Sequence, residues 1–217
     1  MDSSRFLFIH IPKCAGSSVR HGLRKLPALA GKKRPSMHPF YDRNRSPHFS
    51  IEEYIENDYD INSLFKFCFI RNPIERFASA YFYLRKPDVG PHHDKWHKGA
   101  RDYITKNYDD INTFVKDWRS LPHSLRSKVH FRSQSSFIKK NSSPSSPLGV
   151  DFIGKVENLQ QDFDLVLKKI GYNDQISLKI MNYTSTSKPN YKRLFNEKSI
   201  CTLKRIYADD FDLYSKT

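Results

Sequence analysis

Two apolar runs, each breaking into a polar turn and then a helical pattern, constrain this chain more than any other feature. Residues 6–11 (FLFIHI) read as a buried strand bounded by Pro12, and Val19, Leu23 and Leu26 mark one face of a helix over 17–26. Residues 65–70 (FKFCFI) read as a second strand, ended by Arg71-Asn72-Pro73. Pro73 suits a first helical turn and opens a helix over 74–84 with an aromatic-rich face. Phe152-Ile153-Gly154 is a short third strand, followed by a helix over 159–170 closed by Gly171. Strand, turn and helix repeated in this way predict an α/β fold: a parallel sheet flanked by helices.

Size permits such a fold. A chain of 217 residues buries about 70% of its extended surface on folding, enough for one substantial core, so one domain over 1–217 is expected. The hydrophobic fraction of 38% is low, but aromatics at 14% each bury a large area, which argues against intrinsic disorder despite a mean hydropathy of −0.69. Three cysteines (Cys14, Cys68, Cys201) show neither a CxxC nor a zinc spacing, as expected of a fold independent of disulfides. No stretch approaches a membrane span, and the N-terminus lacks a signal-peptide layout.

The remaining elements are less sharply marked. Ser50 is a candidate N-cap for a short helix over 51–56, with Glu53 completing a capping box. Residues 86–99 read as an exposed polar loop, 111–118 as a helix, 131–138 as ambiguous, 141–149 (NSSPSSPLG) as a flexible linker or surface loop, and 197–214 as one last helix.

The turns carry the chemistry. In Ile11-Pro12-Lys13-Cys14-Ala15-Gly16-Ser17-Ser18, small residues let backbone N–H groups approach an anion, a helix N-terminus adds partial positive charge, and Lys13 adds a full one. Phosphate or sulfate binding follows. Lys13 precedes Gly16, the reverse of the Gly-x4-Gly-Lys-Ser/Thr order, which argues against ordinary ATP hydrolysis. Arg71 stands at the carboxyl end of its strand, where open α/β sheets bind ligands, and its fork suits a phosphate. Ser79 follows two helical turns later and completes a grip on one phosphate. Arg76 reads instead as paired with Glu75 on a solvated face.

At these residues the chain resembles a known family. FIHIPKCAGSS is similar to the 5′-phosphosulfate loop of the carbohydrate sulfotransferases, of the Golgi family-2 and heparan-sulfate 2-O type. CFIRNPIERFASAYFYL is similar to their 3′-phosphate motif, with Arg and Ser at the separation of Arg71 and Ser79. DFIGKVENLQQDF and the C-terminal segment ending IYADDFDLYSKT extend the likeness over nearly the whole chain, weakest at 31–47 and 86–141. The resemblance implies a P-loop-like sulfotransferase fold and, as cofactor, 3′-phosphoadenylyl sulfate (PAPS), with adenosine 3′,5′-bisphosphate as product.

The resemblance also implies roles. Lys13 would stabilise charge on the bridging oxygen. Backbone N–H groups of Cys14, Ala15, Gly16, Ser17 and Ser18, with both Ser hydroxyls, would hold the phosphosulfate, and Arg71 and Ser79 the 3′-phosphate. No metal is called for, since a sulfuryl group carries less charge than a phosphoryl group. The family places a histidine base between the motifs, just before a short helix. His48 occupies that place and is favoured over His38; Glu52 and Glu53 are better explained by capping and solubility. Asn182, Thr184 and Lys188 are candidates to close over the nucleotide. His93 and His97 have i, i+4 spacing but no evident third metal ligand. Cys14 is not expected to be a nucleophile.

Net charge of +14 (37 Lys and Arg against 23 Asp and Glu) fits a polyanionic partner, and the basic loop with Lys32, Lys33, Arg34, Arg43 and Arg45 could draw in an acidic acceptor. The acceptor class implied by resemblance is a glycan or small hydroxyl compound, with no specific nucleic acid, and the chain monomeric or dimeric. Cytoplasmic location is expected, with the Golgi lumen as the alternative if an N-terminal anchor has been removed. Two rival functions remain at this level: an ATP-dependent small-molecule kinase, and a non-enzymatic basic protein that binds polyanions.

Overall fold

The computed structural model describes residues 6–26, 48–86, 91–141, 143, 145–179 and 191–217, with the backbone alone at 91–96 and 191–192. The chain divides into two compact units: Met1–Arg71 with Gln134–Thr186 and Lys216–Thr217, and Asn72–Ser133 with Ser187–Ser215.

The first unit holds β1 (Phe6–Ile9), α1 (Gly16–Leu23), α2 (Ile51–Glu56), β2 (Phe65–Ile70), α7 (Ser135–Ile138), β3 (Phe152–Lys155) and α8 (Leu159–Lys169). Its three strands form one parallel sheet in the order β1-β2-β3, with Phe6 opposite Phe65, Ile9 opposite Cys68, and Ile70 opposite Lys155. All of β1 and the last four residues of β2 are buried. Parallel strands covered on both faces need apolar residues on both, which is why these runs do not alternate. The core is aromatic: Phe6, Phe8, Phe67 and Phe69 pack with Val19 and Leu23 of α1 and Phe163, Val166 and Leu167 of α8. Phe8 and Phe67 stack with ring centroids 5.2 Å apart.

Local signals act as expected here. Glu53 N donates to Ser50 Oγ (3.2 Å) and Ser50 N to Glu53 Oε2 (2.6 Å), the reciprocal capping box. Gly171 follows α8 at φ 79°, the left-handed conformation that favours glycine after a helix. Of the two readings of 141–149, the described residues follow the surface loop. Lys139 bridges Leu148 in antiparallel fashion, and Gly149 N donates to Ile138 O (2.6 Å).

The second unit holds α3 (Pro73–Arg85), α4 (Pro91–Asn107), α5 (Ile111–Lys116), α6 (His123–Arg126), α9 (Glu197–Ile206) and most of α10 (Ala208–Lys216). Phe77, Tyr81, Phe114, Trp118, Phe131, Leu203 and Tyr207 centre its core. Asn72 caps α3, its Oδ1 accepting from Ile74 N (3.1 Å) and Glu75 N (3.4 Å), with Pro73 in the first turn.

Four expectations are corrected in this unit. The polar loop read over 86–99 gives way from Pro91 to α4, whose later turns bury Ala100 and Ile104. Only that half carries an apolar periodicity, so the polar half gave no signal. The single C-terminal helix is two helices, broken at Tyr207 (ψ 34°), which is buried and donates its hydroxyl to Phe131 O (2.8 Å). Arg76 is not on a solvated face: it is 2% exposed and donates from Nη1 to Arg132 O (2.8 Å). The helix expected over 111–118 ends at Lys116, and Trp118–Ser120 forms a 3₁₀ turn. Among the described residues, no helix is long and apolar enough to cross a membrane.

Candidate active site at the carboxyl edge of the sheet

Because β1 and β2 are parallel neighbours, the turns that follow them leave the same edge of the sheet. The first turn is tightly shaped. Lys13 (φ 67°) and Ala15 (φ 56°) both adopt the left-handed region, which costs a non-glycine residue about 1–2 kcal/mol each. Alternating left-handed residues turn successive N–H groups toward one side, the concave arrangement that binds anions. Ala15 is the N-cap of α1, no side chain caps it, and the first turn carries no acidic residue. The partial positive charge of that terminus is therefore left for an anion.

Side chains of the loop divide by burial. Ser17 is exposed and Lys13 half-buried, while Cys14 (1%) and Ser18 (2%) are buried. Ser17 is thus the hydroxyl presented outward, and Ser18 belongs to the packing beneath. Cys68, on β2, is also buried; burial, then the neighbouring Cys14, push its thiol up from its ordinary value. It stays protonated, in keeping with a structural residue.

Gly16 has a steric reason. A Cβ there would lie 1.8 Å from His10 Nε2 and 2.0 Å from Cδ2. The His10 ring occupies the space that a side chain would need. It stacks on Phe8 (5.7 Å, 19°) and meets the His48 ring at 4.3 Å. His48 Nδ1 lies 2.9 Å from His10 O. A carbonyl only accepts, so Nδ1 carries the proton, and in the neutral ring Nε2 is the basic nitrogen. Glu53, the neighbouring carboxylate, is held by the capping box.

The second turn is tied to the first by a residue that sequence reasoning missed. Gln134 is 0% exposed. Its Oε1 accepts from Arg71 N (2.9 Å) and from Cys14 Sγ (3.1 Å), and its Nε2 donates to Arg71 O (2.9 Å). No local pattern in Ser133-Gln134-Ser135 distinguishes it from a surface amide. His10 had a faint signal: a polar residue ending an otherwise apolar strand.

The structure therefore gathers Lys13, Cys14, Ala15, Gly16, Ser17, Arg71 and His48 at one edge of the first unit. Ser79 lies on α3 in the second unit and is 8% exposed. His38, the basic residues from Lys32 to Arg45, and Asn182, Thr184 and Lys188 lie outside the described residues. His97 contacts His130 and Tyr83 ring to ring at 4.8 and 5.8 Å. The His93 side chain is outside the described set, and no metal-holding cluster occurs among the described residues.

The parallel sheet flanked by helices is an α/β unit, with Lys13 and an α1 terminus that no side chain caps in the turn after its first strand. The model of the sulfotransferase family (Sulfotransfer_2) matches residues 1–217, and the chain belongs to that family. Sulfuryl transfer is the general activity this membership carries. The chain is 24% identical over 128 residues to an uncharacterized protein of Archaeoglobus fulgidus, a match covering 59% of this chain and 82% of that protein. No solved structure matches.

Proposed function

We propose that this chain is a single sulfotransferase domain that transfers the sulfuryl group of PAPS to an acceptor hydroxyl by in-line displacement, with His48 as general base. The observation that carries the reading is the shared edge: the Lys13–Ser18 loop, Arg71 and His48, whose Nδ1 faces His10 O, all stand at the carboxyl ends of two adjacent strands.

The residues fit the donor. The α1 terminus without a side-chain cap and the left-handed loop suit the phosphosulfate, and Arg71 suits a second phosphate. When bound, PAPS supplies a sulfuryl group on a phosphate leaving group. With that group bound, His48 Nε2 would take the proton of the acceptor hydroxyl as its oxygen displaced the phosphate from sulfur, the leaving bisphosphate keeping the electron pair. Lys13 would offset the negative charge on the leaving oxygen, a contribution of about 10²–10³-fold in rate for a preorganised donor. Proton removal by His48 adds about 10²–10⁴-fold. The acceptor is a glycan or a small hydroxyl compound.

Calorimetry with adenosine 3′,5′-bisphosphate tests the reading. Wild type binds it without magnesium, Lys13→Ala and Arg71→Ala bind it at least about tenfold more weakly, and labelled PAPS gives a sulfated product in a screen of glycans and small alcohols. Absence of binding, or magnesium-dependent ATP turnover instead, overturns it.

A further inference from the structure

Arg71 lies one residue beyond β2, where the sheet ladder no longer holds the backbone. Gln134 takes over that role. Arg71 N must meet an acceptor and Arg71 O a donor, so the amide orientation is set by chemistry: Oε1 faces the N–H and Nε2 the carbonyl, each at 2.9 Å. Together they pair the side chain with one residue's backbone as a neighbouring strand would. The same Oε1 also accepts the Cys14 thiol at 3.1 Å. Cys14 stands between the two left-handed residues of the anion loop.

One fully buried side chain thus spans the two turns, holding the Arg71 main chain with two bonds and the Cys14 thiol with a third. We propose that Gln134 is a positioning residue that sets the separation between the anion loop and Arg71, and so selects a nucleotide phosphorylated at both its 5′ and 3′ ends. The inference rests on the nucleotide reading above. A ligand that engages one turn alone is indifferent to that separation. A ligand that engages both gains full affinity only when the spacing matches, and departures of about 0.5 Å are enough to matter.

The comparison of two probes isolates this effect. Adenosine 5′-phosphate can engage the loop alone; adenosine 3′,5′-bisphosphate engages both turns. In Gln134→Met, of similar length but unable to accept or donate, bisphosphate affinity falls about tenfold, as expected for loss of buried hydrogen bonds. Affinity for the 5′-phosphate stays within about threefold. Loss of folded protein would lower both by one factor, so the ratio of affinities is the readout.

Cys14 provides a second variant that leaves the Arg71 pairing intact. Cys14→Ala lowers the ratio about threefold and Cys14→Ser, which keeps a donor, restores it. An unchanged ratio in Gln134→Met, or in both Cys14 variants should Gln134→Met not fold, overturns the positioning role while leaving the nucleotide reading in place. A wild type that binds neither probe overturns both.

Discussion

Replacing Gly16 with alanine is a sharp test of the site geometry, because local and tertiary energetics predict opposite signs. Gly16 opens α1 at a negative φ, so on backbone grounds Gly16→Ala should stabilise by up to about 1 kcal/mol. The tertiary structure reverses this. The new methyl would stand 1.8, 2.0 and 2.8 Å from three atoms of the His10 imidazole. That ring is the far end of a side chain, but it is held between Phe8 and His48. Overpacking of this kind costs about 1–3 kcal/mol.

The net expectation is a destabilisation of up to about 2 kcal/mol, which in a chain of this size lowers Tm by about 2–4 °C per kcal/mol. In a His10→Ala background the obstruction is gone, and Gly16→Ala should then raise Tm. Thermal denaturation of the four proteins of this cycle reads the sign change, and the coupling between the two sites is expected at about 1 kcal/mol or more. Displacing the ring also disturbs the wall on which His48 rests, so turnover in Gly16→Ala should fall by more than nucleotide affinity. A Tm increase in the wild-type background, with turnover intact, would refute the steric argument for Gly16.

Three other outcomes are expected. Lys13→Gly removes the φ 67° strain and should stabilise the fold by about 1 kcal/mol in chemical denaturation, while turnover drops about 10²-fold or more with the lost charge. His48→Ala should retain bisphosphate binding by calorimetry and lose about 10²–10⁴-fold in turnover; full activity would move the base elsewhere. Ser50→Ala breaks the capping box and should cost about 1 kcal/mol by urea titration, with a loss of turnover because the cap starts the helix two residues after His48.

Much of the fold was legible. The two unbroken aromatic strands could be buried only in a covered parallel sheet, and the Ser50, Pro73 and Gly171 signals each act on their own helix end. Residues 91–99 are helical without an apolar periodicity of their own, Tyr207 breaks a periodic helix and bonds to Phe131, and Arg76 is buried by a partner more than fifty positions away. In the last two cases a distant contact outweighed a local pattern.

The candidate site divides along the same line. From sequence alone came the paired strand–turn–helix units, the small-residue loop with Lys13 and the strand-end Arg71, since strand burial, helix starts and turn chemistry depend on residues adjacent in the chain; His48 came from the family resemblance. Only the tertiary structure decided what these residues touch. It put the His10 ring over Gly16, fixed the His48 proton on Nδ1, turned Lys13 and Ala15 left-handed, and joined Cys14 to Arg71 through Gln134, 120 and 63 positions away. The parallel register of β1 and β2 brings those segments to one edge, and such a register leaves no trace in any local window of sequence.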